Sequence, residues 1–167
     1  MIGEAAMTST VASVAPMDPA VSQPAEAIQW SDRYLLGHGK MDDLHREFVD
    51  IVGRLQVAAN DEIELLLDAL LAHAQQHFGE EDEWMLSTAF PPRECHMKEH
   101  AAVLASIEQV RSQAAMGIYV FCRPFANELA GWFPGHADQL DSALSHWLSK
   151  LRHDGKPVVI RRNLAAG

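Results

Sequence analysis

Apolar residues recur in four stretches of the chain at the three- and four-residue intervals of an amphipathic helix. The predicted helices run from Met41 to about Ala59, from Asp61 to about Met85, from Pro92 to Gly117, and from between Ile118 and Pro124 to about Leu151. The connections between them are short, so sequential helices should be antiparallel neighbours. The pattern therefore predicts an all-α protein, an up-and-down antiparallel four-helix bundle.

Local signals refine this prediction at the helix ends and inside the fourth helix. Asp42 is the predicted N-cap of the first helix, and Asp61 with Glu64 three residues later resembles a capping box at the start of the second. Pro134-Gly135 lies inside the fourth helix, where proline removes one backbone hydrogen bond and should kink the helix.

Both ends of the chain lack helical periodicity. Residues 1–27 are rich in Ala, Ser, Thr, Val and Pro, which predicts a flexible, disordered N-terminal tail. Residues 28–152 form the predicted bundle domain, and its apolar lead-in around Trp30 and Tyr34 should pack over one bundle end. Residues 153–167 are short and basic and predict a C-terminal tail, which is either disordered or folded back along the bundle as an extended strand.

Length, charge and cysteine content exclude several classes of protein. The 167 residues suffice for one domain with a sizeable core, and a hydrophobic share of 48% is normal for a globular protein. A net charge of -10 repels phosphates, so neither nucleic acid nor an anionic membrane is an expected partner. Two cysteines without CxxC spacing favour free thiols in a reducing compartment. Because no secretion signal or membrane span is visible, the cytoplasm is the expected location.

The candidate chemistry is concentrated where the second predicted helix ends and the third begins. His77 precedes Glu81 by four residues, and His96 precedes His100 by four, so each pair shares one helix face. Three imidazoles and one carboxylate suit iron, manganese or zinc. A bridging carboxylate in a helical bundle suggests two metals rather than one.

Depth within the bundle adds further ligand candidates. At about 1.5 Å of rise per residue, five candidates on the first three helices fall within roughly 6–15 Å of one bundle end: His45, His77, Glu81, His96 and His100. His136 and Asp141, in the second half of the fourth helix, lie toward the same end. This shared depth makes His45 a ligand candidate, whereas His73, one turn before His77, is predicted to support a ligand or to lie at the surface. His136 and Asp141 are five residues apart, a rotation of about 140° that a kink must partly close.

Over roughly residues 28 to 152 the chain resembles the hemerythrins, specifically the stand-alone bacterial type. The matching segments are DDLH, with Trp30 ahead of it, HFGEEDEWM, FPPRECHMKEH and WFPGHADQLD. All seven ligand positions of the family motif are filled. The resemblance implies a cofactor of two iron ions bridged by an oxo or hydroxo group. One iron would be held by His96, His100 and His136, the other by His45 and His77, and both would be bridged by Glu81 and Asp141.

The function implied by this resemblance is reversible binding of dioxygen at an open position of the second iron. Such a protein carries, stores or buffers oxygen and is not an enzyme. The alternatives are a di-iron oxidoreductase acting on nitric oxide, peroxide or iron, and a module that senses oxygen or iron. The expected ligands are dioxygen and, secondarily, nitric oxide or other small anions, and the chain is expected to be a monomer or a homo-oligomer.

Apolar residues should surround the open iron. Phe78, Trp132 and Phe133 are predicted to line it and exclude water, although the same aromatics also fit an ordinary core. After His136 the family commonly places a branched apolar residue against the oxygen pocket, and this chain has Ala137. We therefore expect a roomier, wetter pocket and faster autoxidation than in a relative with a larger residue.

Replacing Ala137 by leucine or isoleucine should fill this pocket, exclude water and slow autoxidation several-fold. The decay of the visible absorbance of the oxygenated protein in air measures the rate. The prediction is wrong if Ala137→Leu and Ala137→Ile autoxidise no more slowly than the parent.

Overall fold

In a computed structural model of the chain, which describes residues 26–152, four helices follow a short 3-10 turn at Asp32–Tyr34. The first three are α1 (Gly39–Val57), α2 (Asn60–Ser87) and α3 (Arg93–Ala114). The fourth has three consecutive parts, α4 (Cys122–His136), a π turn (Ala137–Asp141) and α5 (Ser142–Arg152).

These helices form an antiparallel bundle, and no strand occurs among residues 26–152, so the predicted fold class is confirmed. The predicted C-terminal tail lies outside the described residues, as does the N-terminal tail up to residue 25. None of the described helices combines the length and the apolar character that a membrane span requires.

Two apolar clusters fill the bundle. The larger one, called the main core, has as its largest fully buried members Phe48, Leu55, Ile63, Leu67, Leu70, Phe78, Ile107 and Phe133. The smaller one, called the end cluster, consists of Met41, Met85, Phe90 and Leu144. Each side chain of this kind contributes about 1.5–3 kcal/mol when it is fully withdrawn from water. The two clusters close the bundle on either side of the layer described below.

The start of α1 differs from the prediction. The helix begins at Gly39, and the N-cap is His38, whose Nδ1 accepts a hydrogen bond from the Met41 N–H at 3.4 Å. Asp42 is therefore not the N-cap. Its buried carboxylate accepts a hydrogen bond from the Leu36 N–H at 2.7 Å instead, and so ties the preceding segment to the helix.

The predicted capping box of α2 is also wrong. Because the helix begins one residue before Asp61, the carboxylate at its third position is that of Glu62, which accepts a hydrogen bond from the Ala59 N–H at 3.2 Å. Glu64 accepts a hydrogen bond from the Tyr119 hydroxyl at 2.7 Å and connects α2 to the segment before α4.

The apolar lead-in runs along the side of the bundle rather than only over its end. Tyr34 is buried, with its ring 5.2 Å from that of Phe133 and 5.7 Å from that of Trp30. Farther back, the Ile28 N–H donates to Gln56 Oε1 at 2.7 Å, near the other end of α1. The lead-in therefore packs mainly against the main core.

The four seams between neighbouring helices are not equally tight. α1 packs closely against both α2 and α4, and α2 packs closely against α3. The seam between α3 and α4 has far fewer close approaches of the two backbones. One side of the bundle is therefore more open than the other three.

The lead-in approaches α1 closely at Gly53. A Cβ at this position would lie 2.5 Å from the Ile28 carbonyl oxygen, whereas a Cβ at Gly131 on α4 would meet nothing within 4 Å. We expect Gly53→Ala to lower the free energy of unfolding by about 1–2 kcal/mol, because the lead-in must move. Gly131→Ala should leave it unchanged or raise it by up to about 1 kcal/mol through helix propensity. Urea denaturation measures both, and equal stability of the two variants would contradict the close approach.

Candidate metal centre

The predicted ligand candidates lie in one buried layer between the end cluster and the main core. On α1, Met41 of the end cluster, His45 and Phe48 of the main core follow one another at intervals of about one turn. The same order holds on α2, where Glu81 stands one turn before Met85. Polar groups are thus enclosed by apolar side chains on both sides along the bundle axis.

All seven predicted residues are brought together in this layer. They form two overlapping groups whose ligand atoms lie within 4.8 Å of one another and could hold metal ions. The first group is Glu81, His96, His100, His136 and Asp141, and the second is His45, His77 and Glu81. Every one of the five imidazoles directs its Nε2 toward a carboxylate of the layer.

Glu81 divides its two oxygens between the groups. Its Oε1 lies 3.1 Å from His77 Nε2 and 3.9 Å from His45 Nε2. Its Oε2 lies 3.3 Å from His100 Nε2 and 3.6 Å from His96 Nε2. This is the arrangement that a carboxylate needs in order to bridge two cations.

The two carboxylate oxygens of Asp141 likewise face different groups of imidazoles. Its Oδ2 lies 3.1 Å from His45 Nε2, whereas its Oδ1 lies 3.0 Å from His96 Nε2 and 3.2 Å from His136 Nε2. Both carboxylates are fully buried, and neither forms an ion pair with a lysine or arginine of the described residues. Their positive partners must therefore be imidazolium groups or metal ions.

The donor atoms point at common centres more than at one another. His45 Nε2, Glu81 Oε2 and both Asp141 oxygens form no aligned hydrogen bond, although all have neighbours at short distance. His136 Nε2 lies 3.2 Å from His96 Nε2 and 3.3 Å from His100 Nε2. Ligands held at right angles about 2.1 Å from one cation are separated by about 3 Å. The donor set therefore fits metal ions.

Electrostatics within the layer keep the carboxylates ionised. Burial alone would raise the pKa of Asp141, but the imidazoles of His136, His45 and His96 close to its oxygens outweigh burial and hold the pKa well below its usual range. Burial would likewise lower the pKa of His100, but its hydrogen bond to Asp82 and the nearby Glu81 carboxylate raise the pKa to about 9. The layer is built to hold positive charge between its carboxylates.

A π turn brings His136 and Asp141 together, although residues five apart on a regular α-helix would point in different directions. The fourth helix continues through Pro134-Gly135 and becomes a π turn at Ala137. In this turn the Ser142 N–H donates to the Ala137 carbonyl, five residues earlier. Hydrogen bonding from i to i+5 brings residues five apart onto the same face, one turn from each other. His136 Nε2 and Asp141 Oδ1 can thus approach to 3.2 Å.

Two further carboxylates hold the outer nitrogens of the ring pair on α3 and α4. His100 Nδ1 donates to Asp82 Oδ1 at 2.8 Å, and His136 Nδ1 donates to Glu99 Oε2 at 3.0 Å. Such contacts fix the ring orientation and raise the basicity of Nε2. Sequence reasoning missed both residues. The only signal was their position directly beside Glu81 and His100, which does not tell which ring each one reaches.

The predicted pocket aromatics surround both groups of ligand candidates. Phe78 stacks on His100 with ring centroids 4.1 Å apart, and Trp132 covers His136 at 4.3 Å. Phe133 meets the edge of His45 at 5.2 Å. Phe78 lies between the two groups, since its ring is also 5.3 Å from that of His77, whereas Trp132 lies against the three-histidine group. The assignment of these aromatics to the open iron stays a prediction.

Two more residues complete the apolar wall. Phe48, which sequence reasoning did not assign to the pocket, has its ring 5.2 Å from Phe133 and 6.4 Å from His77. Ala137 is buried in the main core at the start of the π turn. The side of the layer that holds His45 and His77 is therefore enclosed by apolar surface.

His73 stands outside both groups of ligand candidates. It is buried, with Nδ1 3.3 Å from Glu47 Oε2 and its ring 5.4 Å from that of His77. Burial, followed by the proximity of His77, lowers the pKa of His73 to about 4. A neutral imidazole here packs behind His77, which rules out the surface position and leaves the supporting one.

A sequence comparison connects this geometry to a known family. The model of the Hemerythrin HHE cation binding domain matches residues 36–148, which include every residue of the two groups. The chain belongs to the hemerythrin family. The family description itself names cation binding, which agrees with the donor set described above.

Two bacteriohemerythrins match the chain over different lengths. The chain is 36% identical over 129 residues to a bacteriohemerythrin of Ralstonia nicotianae, covering 77% of this chain and 94% of that protein. A bacteriohemerythrin of Clostridium acetobutylicum is 26% identical over 87 residues, or 47% of this chain and 67% of that protein.

Crystal structures of hemerythrin share the fold. A wild-type hemerythrin superimposes with a TM-score of 0.67 at 21% identity, covering 72% of this chain and 97% of that one. A hemerythrin carrying a leucine-to-tyrosine substitution gives a TM-score of 0.68, also at 21% identity, and covers 74% and 98% of the two chains. At this identity the likeness speaks for the fold alone.

If Glu81 connects two metal ions, removal of its charge should affect both. We expect Glu81→Gln to bind fewer than one metal ion per chain, because an amide has one acceptor oxygen and no charge, whereas the parent should bind two. Anaerobic loading with ferrous or cobaltous ions, dialysis and metal analysis give the stoichiometry. Glu83→Gln, an exposed position on the same helix, should bind as the parent does. A parent-like stoichiometry in Glu81→Gln would exclude the bridging role.

Proposed function

We propose that this hemerythrin-family chain holds two iron ions and binds dioxygen reversibly, so that it carries, stores or buffers oxygen. The observation that carries the proposal is the division of Glu81 and Asp141 between two groups of imidazoles. Iron suits nitrogen and carboxylate ligands of this kind, and helical bundles hold paired irons through shared carboxylates.

In the proposed centre the two irons have unequal sets of ligands. His96, His100 and His136 would hold one iron, and His45 and His77 the other, with Glu81 and Asp141 shared by both. The second iron would have one imidazole fewer, which leaves a coordination position for a small ligand. When bound, the two ferrous ions would supply the electrons that reversible dioxygen binding requires.

The chain's own residues prepare this second position for a small apolar molecule. Phe48 and Phe133 pack against the rings of His77 and His45 and exclude water from that side of the layer. A dry, apolar surround favours dioxygen over charged ligands and slows the loss of a bound anion. No lysine or arginine of the described residues contacts the layer, so the described part of the chain offers no cation that would recruit a charged substrate.

The hydrogen-bonded carboxylates on the opposite side have a different task. Asp82 and Glu99 orient His100 and His136 and increase their electron donation toward the metal that they would hold. The three-histidine position is thereby stabilised as a structural anchor, and exchange of small ligands is directed to the position of His45 and His77.

Mixing the reduced, iron-loaded protein with dioxygen should produce a new visible absorption band that disappears when oxygen is removed and returns when it is readmitted. Stopped-flow absorbance over repeated cycles measures this, and chelator-treated protein should give no band. Absence of the band would contradict oxygen carriage. Sustained consumption of oxygen, nitric oxide or peroxide with a reductant, well above that of free iron, would identify an oxidoreductase instead.

A further inference from the structure

The loose seam between α3 and α4 carries a depression that reaches the metal centre. Its volume is about 180 Å³, and it is lined by Glu99, Trp132, Gly135, His136, Gln139 and Leu140. A neighbouring depression shares Glu99 and Trp132 and continues along the same seam. His136 is thus both a ligand candidate and part of the wall of a surface cavity.

The side chain of His136 is 2% exposed and that of His77 is 3% exposed, so exposure alone does not distinguish His136 from the other ligand candidates. What distinguishes it is its place in the lining of the depression. A path from solvent to the buried layer is short where a ligand candidate lines a surface depression.

The backbone that carries His136 has fewer constraints than an ordinary helix. Pro134 has no N–H and leaves one carbonyl of the preceding turn without its helical partner. Gly135 has no side chain, and a Cβ there would meet nothing within 4 Å. The π turn begins at Ala137, directly after His136. The backbone at His136 therefore offers little resistance to a small outward movement, in which the ring would leave Trp132 and exchange its hydrogen bond to Glu99.

Glu99 places a negative charge at the mouth of this depression. Its side chain is 46% exposed, and its Oε2 lies 3.0 Å from His136 Nδ1. Among residues 26–152, no lysine or arginine lines the depression to neutralise this charge. An incoming cation would meet this carboxylate before it meets any buried ligand, and the local field would raise its concentration there.

We propose that divalent metal ions reach the centre through the α3–α4 depression, that Glu99 attracts them, and that His136 is the last ligand to close behind them. The proposal rests on the metal centre proposed above. It assigns Glu99 a role beyond orientation of the His136 ring. It also makes the wide seam between α3 and α4, rather than one of the three tight seams, the entrance for metal ions.

Stopped-flow loading of the metal-free full-length chain with cobaltous ions, followed by visible absorbance, tests the route. Glu99→Gln keeps an oxygen that accepts the His136 hydrogen bond but removes the charge. Loading should become several-fold slower and less dependent on salt, and the weaker salt dependence separates the loss of charge from any effect on the orientation of the His136 ring. Glu128→Gln, on the rim of the neighbouring depression, should load at the parental rate.

A second pair of variants tests the passage itself without a change of charge. Gly135→Leu should fill the depression and slow loading several-fold, whereas Gly131→Leu, equally open and one turn earlier on the same helix, should not. Parental loading rates in Glu99→Gln and Gly135→Leu would overturn the route, as would a lower stoichiometry without slower loading. Failure of the parent to take up cobalt would instead overturn the metal centre, and the route with it.

Discussion

Two carboxylates buried without a lysine or arginine beside them impose the constraint on which the rest of the structure depends. An isolated buried carboxylate costs several kcal/mol, so Glu81 and Asp141 are tolerable only because imidazole nitrogens surround both. Each of the four bundle helices contributes at least one of these groups. Each helix must therefore place its ligand candidates at the same depth in the bundle and direct them toward the bundle interior. An ordinary apolar core does not impose this requirement.

The two apolar clusters support this polar layer and shield it from solvent. The end cluster separates the layer from solvent at the near end of the bundle, and the main core supports it from the other side. Phe78 and Trp132 cover His100 and His136, so the polar layer has apolar neighbours within its own plane as well. Low polarity around the layer strengthens every electrostatic interaction inside it.

Much of this arrangement could be predicted from the sequence, because helical periodicity and the rise per residue are local properties. The pairs His77/Glu81 and His96/His100 follow from spacing alone, and the common depth adds the remaining candidates. What could not be predicted depends on tertiary contacts. Asp42 looks like a cap, but Leu36 supplies the N–H that it binds.

The spacing of His136 and Asp141 illustrates the same limit. On an α-helix these residues diverge, and nothing in their identity announces the π turn that joins them. Glu99 is a similar case, because its partner ring lies on another helix and only the folded chain shows which imidazole it reaches. Local patterns thus define which residues belong to the site, whereas the folded chain defines how each is held.

The distribution of the ligands over the chain has a consequence for folding. His45 and Asp141 are near opposite ends of the bundle sequence, yet their side chains approach to 3.1 Å. A bound metal pair would act as a cross-link that closes long loops, in the manner of several disulfides meeting at one point. Such cross-links stabilise a protein mainly by restricting its unfolded chain, and long loops gain the most in theory. The free energy of unfolding would then depend on the supply of the metal ions that the centre binds.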